Sequence, residues 1–388
     1  MNIIPSIKFF IRDSRAVGVL LICSTAASLV VANSSCGSGY LSFWEQEIIT
    51  PAHGLHLPGS LLHFVNDALM SLFFFSAGLE IKREVLNGEL QTIKKSMLPV
   101  ISAIGGMLLP AIIYLAFCHH SHDYKGWGIP MATDIAFSLG ALSLLGKRAP
   151  LSMRIFLTAI AIIDDIGGIL AIAVFYAGHL NWLYSCLAAM IVVILLALNY
   201  FRVTRISIYL VTGLLLWYFV YNSGIHATIA GVLLAMVIPS SCIHRLEQSL
   251  RVPVNFIILP LFALANTAII LPAQVFPIIS SPVHWGIFLG LFLGKPIGIF
   301  LATYVAVKLK IVDLPGSLTH KQVLGMGMMA GIGFSVSIFI ATLAFPGTQT
   351  LLIAKLAVLN ASLASGICGY CYLRFTRKKQ YGRPTLPS

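Results

Sequence analysis

A chain of 388 residues that is 58% hydrophobic and only 10% charged, with a mean hydropathy of +0.92, falls outside the composition of ordinary soluble domains. Its formal charge of +12 would suit a nucleic-acid partner if the 25 cations were clustered, but they alternate with long apolar segments, which sets that class aside.

A bilayer core of roughly 30 Å needs about 20 apolar residues per helix, and the apolar runs predict an all-α polytopic membrane protein with twelve spans. In chain order they are 16–32, 60–81, 96–117, 127–146, 151–176, 182–201, 206–222, 224–239, 253–272, 284–307, 323–345 and 350–373. The first follows Lys8, Arg12 and Arg15 as the apolar core of a signal peptide would, yet a cleaved leader does not explain the runs that follow, so it is read as a retained helix. The longest connection, 33–59, is expected outside, and its EIITPAHGLHLP stretch suggests a small β-hairpin whose edges suit a second subunit. The CHHSHD loop gathers His119, His120 and His122 with Asp123, but a wet loop rarely fixes metal geometry. Spans four (WGIPMATDIAFSLG) and eleven (GMMAGIGFSVSIFIA) carry helix breakers at their apolar centres, and they run in opposite directions, as inverted repeats require.

Setting aside Lys125, Lys295 and Lys355, the other 22 of the 25 cations fall on one side of this topology, which the positive-inside rule makes cytoplasmic, with both termini on that side. No linker divides the chain, so residues 1–388 read as a single membrane domain. The seven cysteines imply no disulfide framework: the CGYC of Cys368 and Cys371 lies in the last apolar run and reads as packing. A pairing of Cys36 with Cys118 on the outer side stays open.

Five of the 13 acidic residues, Asp67, Glu80, Asp134, Asp164 and Asp165, fall inside expected spans. A charge at a helix centre costs about 2.5 to 3.5 kcal/mol on insertion scales, so function or tight pairing must offset it. With a rise of about 1.5 Å per residue, Asp164 (ten residues beyond Arg154) and Lys295 (ten beyond Trp285) both lie about 15 Å deep, near the midplane. Asp134, on span four, is only slightly shallower. Neighbours on a helix point about 100° apart, so Asp164 and Asp165 are expected to have unequal roles, one lining an ion path while the other pairs, with Lys295 as the candidate cation. Broken helices expose partial charges of about half a unit, which Asp134 suits at amino ends and Lys295 at carboxyl ends. Desolvation favours the neutral forms of such groups, so they can exchange protons, and a hard monovalent cation competing for the same oxygens makes antiport.

The motifs ATDIAF (Ala132 to Phe137), AIIDDIGG (Ala161 to Gly168), GKPIGI (Gly294 to Ile299) and GIGFSVSIFIA (Gly331 to Ala341) together resemble the NhaA family of bacterial sodium/proton antiporters. NDALM, GLEIKREV, SGIHAT, RLE and ILPLFALAN extend the likeness over nearly the whole chain. The resemblance implies twelve helices in which spans 3–5 and 10–12 are inverted repeats and the broken spans 4 and 11 cross, with Gly331 and Gly333 at the second break. It implies that Asp164 and Asp165 hold Na+ (or Li+) and H+, with Thr133 and Asp134 beside them and Lys295 interacting with the aspartates. It further implies a secondary transporter of the inner membrane, not an enzyme, with no cofactor, exchanging more protons than sodium ions. Glu80, Glu84 and Glu247 correspond to acids at the cytoplasmic entrance linked to pH activation, and the outer hairpin to the join of a homodimer. The chain departs from some relatives near Glu247, where Gln248 and Arg251 stand in place of histidines. A channel or symporter would also use midplane acids, but the buried lysine opposes a simple cation pore and no fourfold repeat is present. An intramembrane aspartyl protease would need its acids on two facing helices, whereas these are adjacent on one.

Overall fold

The computed structural model describes residues 14–48, 56–88, 90–119, 122–176, 178–271, 276–315 and 318–376, and long helices dominate them. The chain begins with α1 (Ser14–Ala32), a short α2 (Gly37–Glu45), α3 (Leu61–Asn87) and α4 (Ile93–Cys118). A 3-10 segment (His122–Met131) leads into α5 (Ile135–Ser143), and α6 (Leu151–Phe175), α7 (Trp182–Tyr200), α8 (Ile206–Asn222) and α9 (Thr228–Val237) follow. The second half holds α10 (Ser240–Asn266), α11 (Pro282–Lys308), α12 (His320–Ala330), α13 (Phe334–Ala344) and α14 (Gln349–Phe375).

Eight of these helices, α1, α3, α4, α6, α7, α10, α11 and α14, are long and apolar enough to cross a membrane, and α12 with α13 forms a ninth candidate bent by 49°. The remaining three expected spans are shorter pieces: α8, the ten-residue α9, and the 3-10 segment joined to α5. Apolar length alone therefore establishes eight or nine crossings among the described residues, against the twelve expected. Ten residues of helix reach only about 15 Å, and α9 is closed at its carboxyl end by its neighbours. There, Lys82 of α3 donates to Met236 O at 2.6 Å and Ile238 O at 2.5 Å, and Asn199 of α7 donates to Val237 O at 2.6 Å. A cation and an amide so placed satisfy carbonyls that lipid cannot.

Close packing of small residues joins the helices that carry the charged centre. Gly105 of α4 and Gly298 of α11 face each other so closely that a methyl group on either would overlap the other's backbone, and Ser102 and Thr303 hydrogen-bond across the same seam at 2.7 Å. The interior divides into two apolar clusters. One is built on α1, α4, α6 and α10 to α14; the other joins α7, α8 and α9 to Phe75 and Leu79 of α3 and the start of α10. The outer faces of α7 and α8, with Trp182, Leu183, Val193, Val211 and Leu214 exposed, are the apolar surface a bilayer would cover.

Three helices carry a π-turn that the hydropathy pattern did not reveal: Val65–Leu69 in α3, Val254–Ile258 in α10 and Gly290–Gly294 in α11. The connection from 33 to 59 contains α2, which was not expected. It also holds an antiparallel bridge between Glu47 and Ser60, with Ile48 N–H donating to Gly59 O at 3.1 Å. The tip of the expected hairpin, 49–55, lies outside the described residues, as do His120 of the histidine loop and the chain beyond Thr376. No disulfide joins Cys36 to Cys118; Cys118 is buried on α4 while Cys36 is exposed.

Candidate functional site

Two interruptions meet at the centre of the fold. The 3-10 segment ends at Met131, and Ala132, Thr133 and Asp134 run without helical structure before α5; Gly331, Ile332 and Gly333 separate α12 from α13. The two breaks are bonded to each other, for Asp134 N–H donates to Ile332 O at 2.7 Å. A methyl group on Gly331 would meet Leu291 O at 2.5 Å and Ser365 Oγ at 2.7 Å, so glycine is what lets the break press against α11 and α14.

The Asp134 side chain closes the amino ends of both broken halves. Its Oδ1 accepts from Phe137 N at 2.9 Å, capping α5, while its Oδ2 accepts from Ser335 N at 3.1 Å and Ser335 Oγ at 2.5 Å in the first turn of α13. A carboxylate shared by two helix amino ends answers two sets of unpaired donors at once. Asp134 is 2% exposed, so these donors have no water to turn to. Asp134→Ala is therefore expected to lower stability by about 3 kcal/mol or more, since each buried donor left unsatisfied costs about 1 to 3 kcal/mol. Asp134→Asn, which keeps an acceptor oxygen, should lose distinctly less. Thermal unfolding of the purified protein in detergent measures both, and equal losses would mean the caps do not hold the halves.

Lys295 stands at the opposite kind of helix end. Its ammonium donates to Met131 O, the last carbonyl of the 3-10 segment, and pairs with Asp164 Oδ2 at 2.9 Å, with both side chains wholly buried. The π-turn of α11 ends at Gly294, immediately before Lys295 and Pro296. Pro296 lacks the N–H that a regular helix would return to Phe292, so the wider turn falls where the ladder is already broken. Thr133 completes the cluster: its hydroxyl, also wholly buried, lies 2.7 Å from Asp164 Oδ2 and 3.0 Å from Ala330 O at the end of α12. Asp164 thus links α6 to the first break and to α11 through a single oxygen, while Thr133 carries the tie on to the end of α12.

Asp165, one residue on, turns elsewhere. It is 4% exposed and lies in the wall of a cavity of about 340 Å³ together with Thr133, Asp134, Thr158, Glu80, Arg83 and Glu247; Asp164 is not in that wall. The cavity extends to exposed Arg251, on the side where α3 ends and α10 begins. Oδ1 of Asp165 and Oδ1 of Asp164 are both buried and have no hydrogen-bond partner. Two adjacent carboxylates with vacant oxygens, one at the end of an open path and one braced by a lysine, can take a small hard cation or protons but not both in full. No three His, Cys, Asp or Glu side chains converge as a metal-ligand set among the described residues, so any cation here would rest on this pair and neutral oxygens such as Thr133 Oγ1.

At the mouth of the cavity the acids suggested by sequence are gathered by a residue that sequence reading had counted only as a topological cation. Arg83 reaches Glu247 at 2.5 Å, Glu84 at 2.7 Å and Glu80 at 4.0 Å, tying α3 to α10. A guanidinium serves three carboxylates because its donors fan out in a plane. Ser335 and the backbone carbonyl of Met131 were also unforeseen; the signals for them were the polar residue just after the Gly-Ile-Gly break and the Pro just before the other. About 20 Å along α3 from Glu80, Asp67 lies 3.5 Å from His226.

Compared with known proteins, the chain matches over residues 8–373 a family described as Na+/H+ antiporter 1. The Na(+)/H(+) antiporter NhaA 2 of Flavobacterium johnsoniae is 46% identical over 379 residues, covering 96% of this chain and 93% of that protein. The Na(+)/H(+) antiporter NhaA of Flavobacterium psychrophilum is 46% identical over 384 residues, 97% of this chain and 98% of that one. That of Dechloromonas aromatica is 44% identical over 376 residues, with 94% and 95% covered.

Proposed function

Because the chain belongs to the Na+/H+ antiporter 1 family, a family of transporters and not of enzymes, we propose that it exchanges Na+ or Li+ for H+ across a bacterial inner membrane at Asp164 and Asp165. The observation that carries this reading is the unequal setting of the two acids. Asp165 lies in the wall of the cavity with a buried oxygen that has no hydrogen-bond partner, and Asp164 is held 2.9 Å from Lys295.

A cation moving up the cavity first meets the acidic mouth formed by Glu80 and Glu247 and then the Asp165 carboxylate. To bind between the adjacent carboxylates it must compete with a proton on Asp165 and with the Lys295 ammonium for Asp164. Each of those groups can give up a proton as the ion settles, so one positive charge entering releases more than one leaving. This accounts for an electrogenic exchange driven by the proton gradient. Since cation and protons exclude each other, the site returns loaded with one or the other, and coupling needs no further device.

The charges at the crossing lower the cost of alternating access. Asp134, and Lys295 while it carries its proton, neutralise the ends of the broken helices, so α5, α12 and α13 can shift against α6 without exposing bare helix ends. We read the two breaks as corresponding parts of inverted repeats, spans 3–5 and 10–12 of twelve, with both termini in the cytoplasm and the cavity facing it. The ion-paired mouth, Arg83 with Glu80, Glu84 and Glu247, supports a role in setting the active pH range. The paired feet of the outer connection, Glu47 and Ser60, support a hairpin that joins a homodimer.

The deciding experiment follows a pH-sensitive dye in everted vesicles with an acidified lumen. Added Na+ or Li+ should dequench the dye as protons leave, K+ should not, and collapse of the membrane potential should alter the rate. Sodium uptake with no accompanying proton efflux, or no response in vesicles shown to contain the protein, would remove the exchange reading in favour of a channel or symporter.

A further inference from the structure

A second cavity, of about 540 Å³, is lined by Arg148, Met153, Gln322, Leu373, Arg374, Phe375 and Thr376. It stands apart from the aspartates, where the turn before α6, the start of α12 and the end of α14 come together. Among the described residues its wall holds two arginines and no acid. Met153 lies in the first turn of α6 and Gln322 in the first turn of α12, so the positive ends of two helices also face this region. At the carboxyl end of α14, whose partial charge opposes an anion, Arg148 donates to Arg374 O. Arg374 is steadied by Tyr370, whose hydroxyl lies 3.1 Å away and whose ring lies beneath the guanidinium. Beside these cations Phe375 is 80% exposed, an apolar surface at the rim of a basic pocket.

We propose that this cavity binds the phosphate headgroup of an anionic glycerophospholipid of the cytoplasmic leaflet, bridging the ends of α6, α12 and α14. Cationic pockets between membrane helices on the cytoplasmic side suit such headgroups, and two guanidiniums give paired donors to phosphate oxygens. The assignment of side rests on the topology read from the loop cations. Phe375 favours an amphiphile over free phosphate, since it offers contact to an acyl chain. The chain's own carboxyl-terminal residues suit the pocket poorly: they include Arg377, Lys378, Lys379 and Arg383 and no Asp or Glu.

The test uses the full-length protein in a mild detergent, followed by thermal unfolding with increasing phosphatidylglycerol, phosphatidylcholine of the same acyl chains, or inorganic phosphate. Phosphatidylglycerol should raise the midpoint and the other two should not. In Arg148→Gln/Arg374→Gln the half-effective lipid concentration should rise roughly thirtyfold, at about 1 kcal/mol per arginine near an anionic surface. Arg148→Lys/Arg374→Lys should keep most of the response and Lys308→Gln all of it. If the double Gln variant does not fold, Arg374→Gln alone should give a smaller rise in the same direction. Equal responses in the Gln variant and the wild type overturn the proposal, as does an equal effect of phosphatidylcholine. A full response to inorganic phosphate alone would assign the pocket to a free anion. Loss of the response in Arg377→Gln/Lys378→Gln/Lys379→Gln, with the arginine variants unaffected, would assign the lipid to the tail.

Discussion

Asp165→Asn is expected to abolish sodium-dependent proton movement while leaving the protein as stable as the wild type or more so, whereas Asp164→Asn should lose both transport and stability. The difference follows from what each carboxylate touches. Asp165 faces the cavity, and its buried Oδ1 has no hydrogen-bond partner, so an amide of the same shape removes a charge without stranding another group. Asp164 is the anion that compensates a fully buried lysine at 2.9 Å. Replacing it leaves Lys295 as a lone charge, and breaking such a pair from one side costs about 3 to 5 kcal/mol. Dye dequenching in everted vesicles gives the transport half of the result, and thermal unfolding in detergent gives the other. Wild-type exchange by Asp165→Asn would remove it from the ion path. Equal unfolding midpoints for the two variants would mean that the pairing of Asp164 with Lys295 does not distinguish the acids.

The charged centre was legible because lipid makes it conspicuous: Asp134, Asp164, Asp165 and Lys295 stand in apolar runs where any charge is costly, and counting residues from Arg154 and Trp285 put Asp164 and Lys295 near one depth, with Asp134 slightly shallower. Which aspartate takes the lysine was not legible. Consecutive residues diverge by about 100°, but the rotation of α6 about its axis depends on packing that no local pattern records. The π-turn in α11 compounds this by shifting the angular phase of Lys295 against the regular period, although the Gly-Lys-Pro run beside it marks where a ladder would fail. Apolar length marks eight or nine of the twelve expected spans. A window of about 20 apolar residues passes over α9 and the 3-10 segment with α5, which are short because side chains from other helices satisfy their ends. Arg83 was assigned to the cytoplasmic side by its charge, but its ties to Glu84 on its own helix and Glu247 on another depend on how α3 meets α10.

Lys295→Ala should be strongly destabilising, by about 3 to 5 kcal/mol, because it strands Asp164 in a site with only the Thr133 hydroxyl to answer it and takes the donor from Met131 O. The informative variant is the double one, Asp164→Asn/Lys295→Met. Removing both charges together spares the desolvation that each single variant leaves uncompensated, so the double variant should be more stable than either single, which requires a coupling larger than the cost of either single change, about 3 to 5 kcal/mol or more. It should nevertheless carry no sodium-dependent proton current. Unfolding midpoints of the four proteins in one detergent, set beside their dequenching traces, close the cycle. Losses that simply add would show that Asp164 and Lys295 act independently despite their 2.9 Å separation. A stable but inactive double variant would show instead that the helices can pack without the pair, and that two charges at the midplane are retained for the ion they exchange.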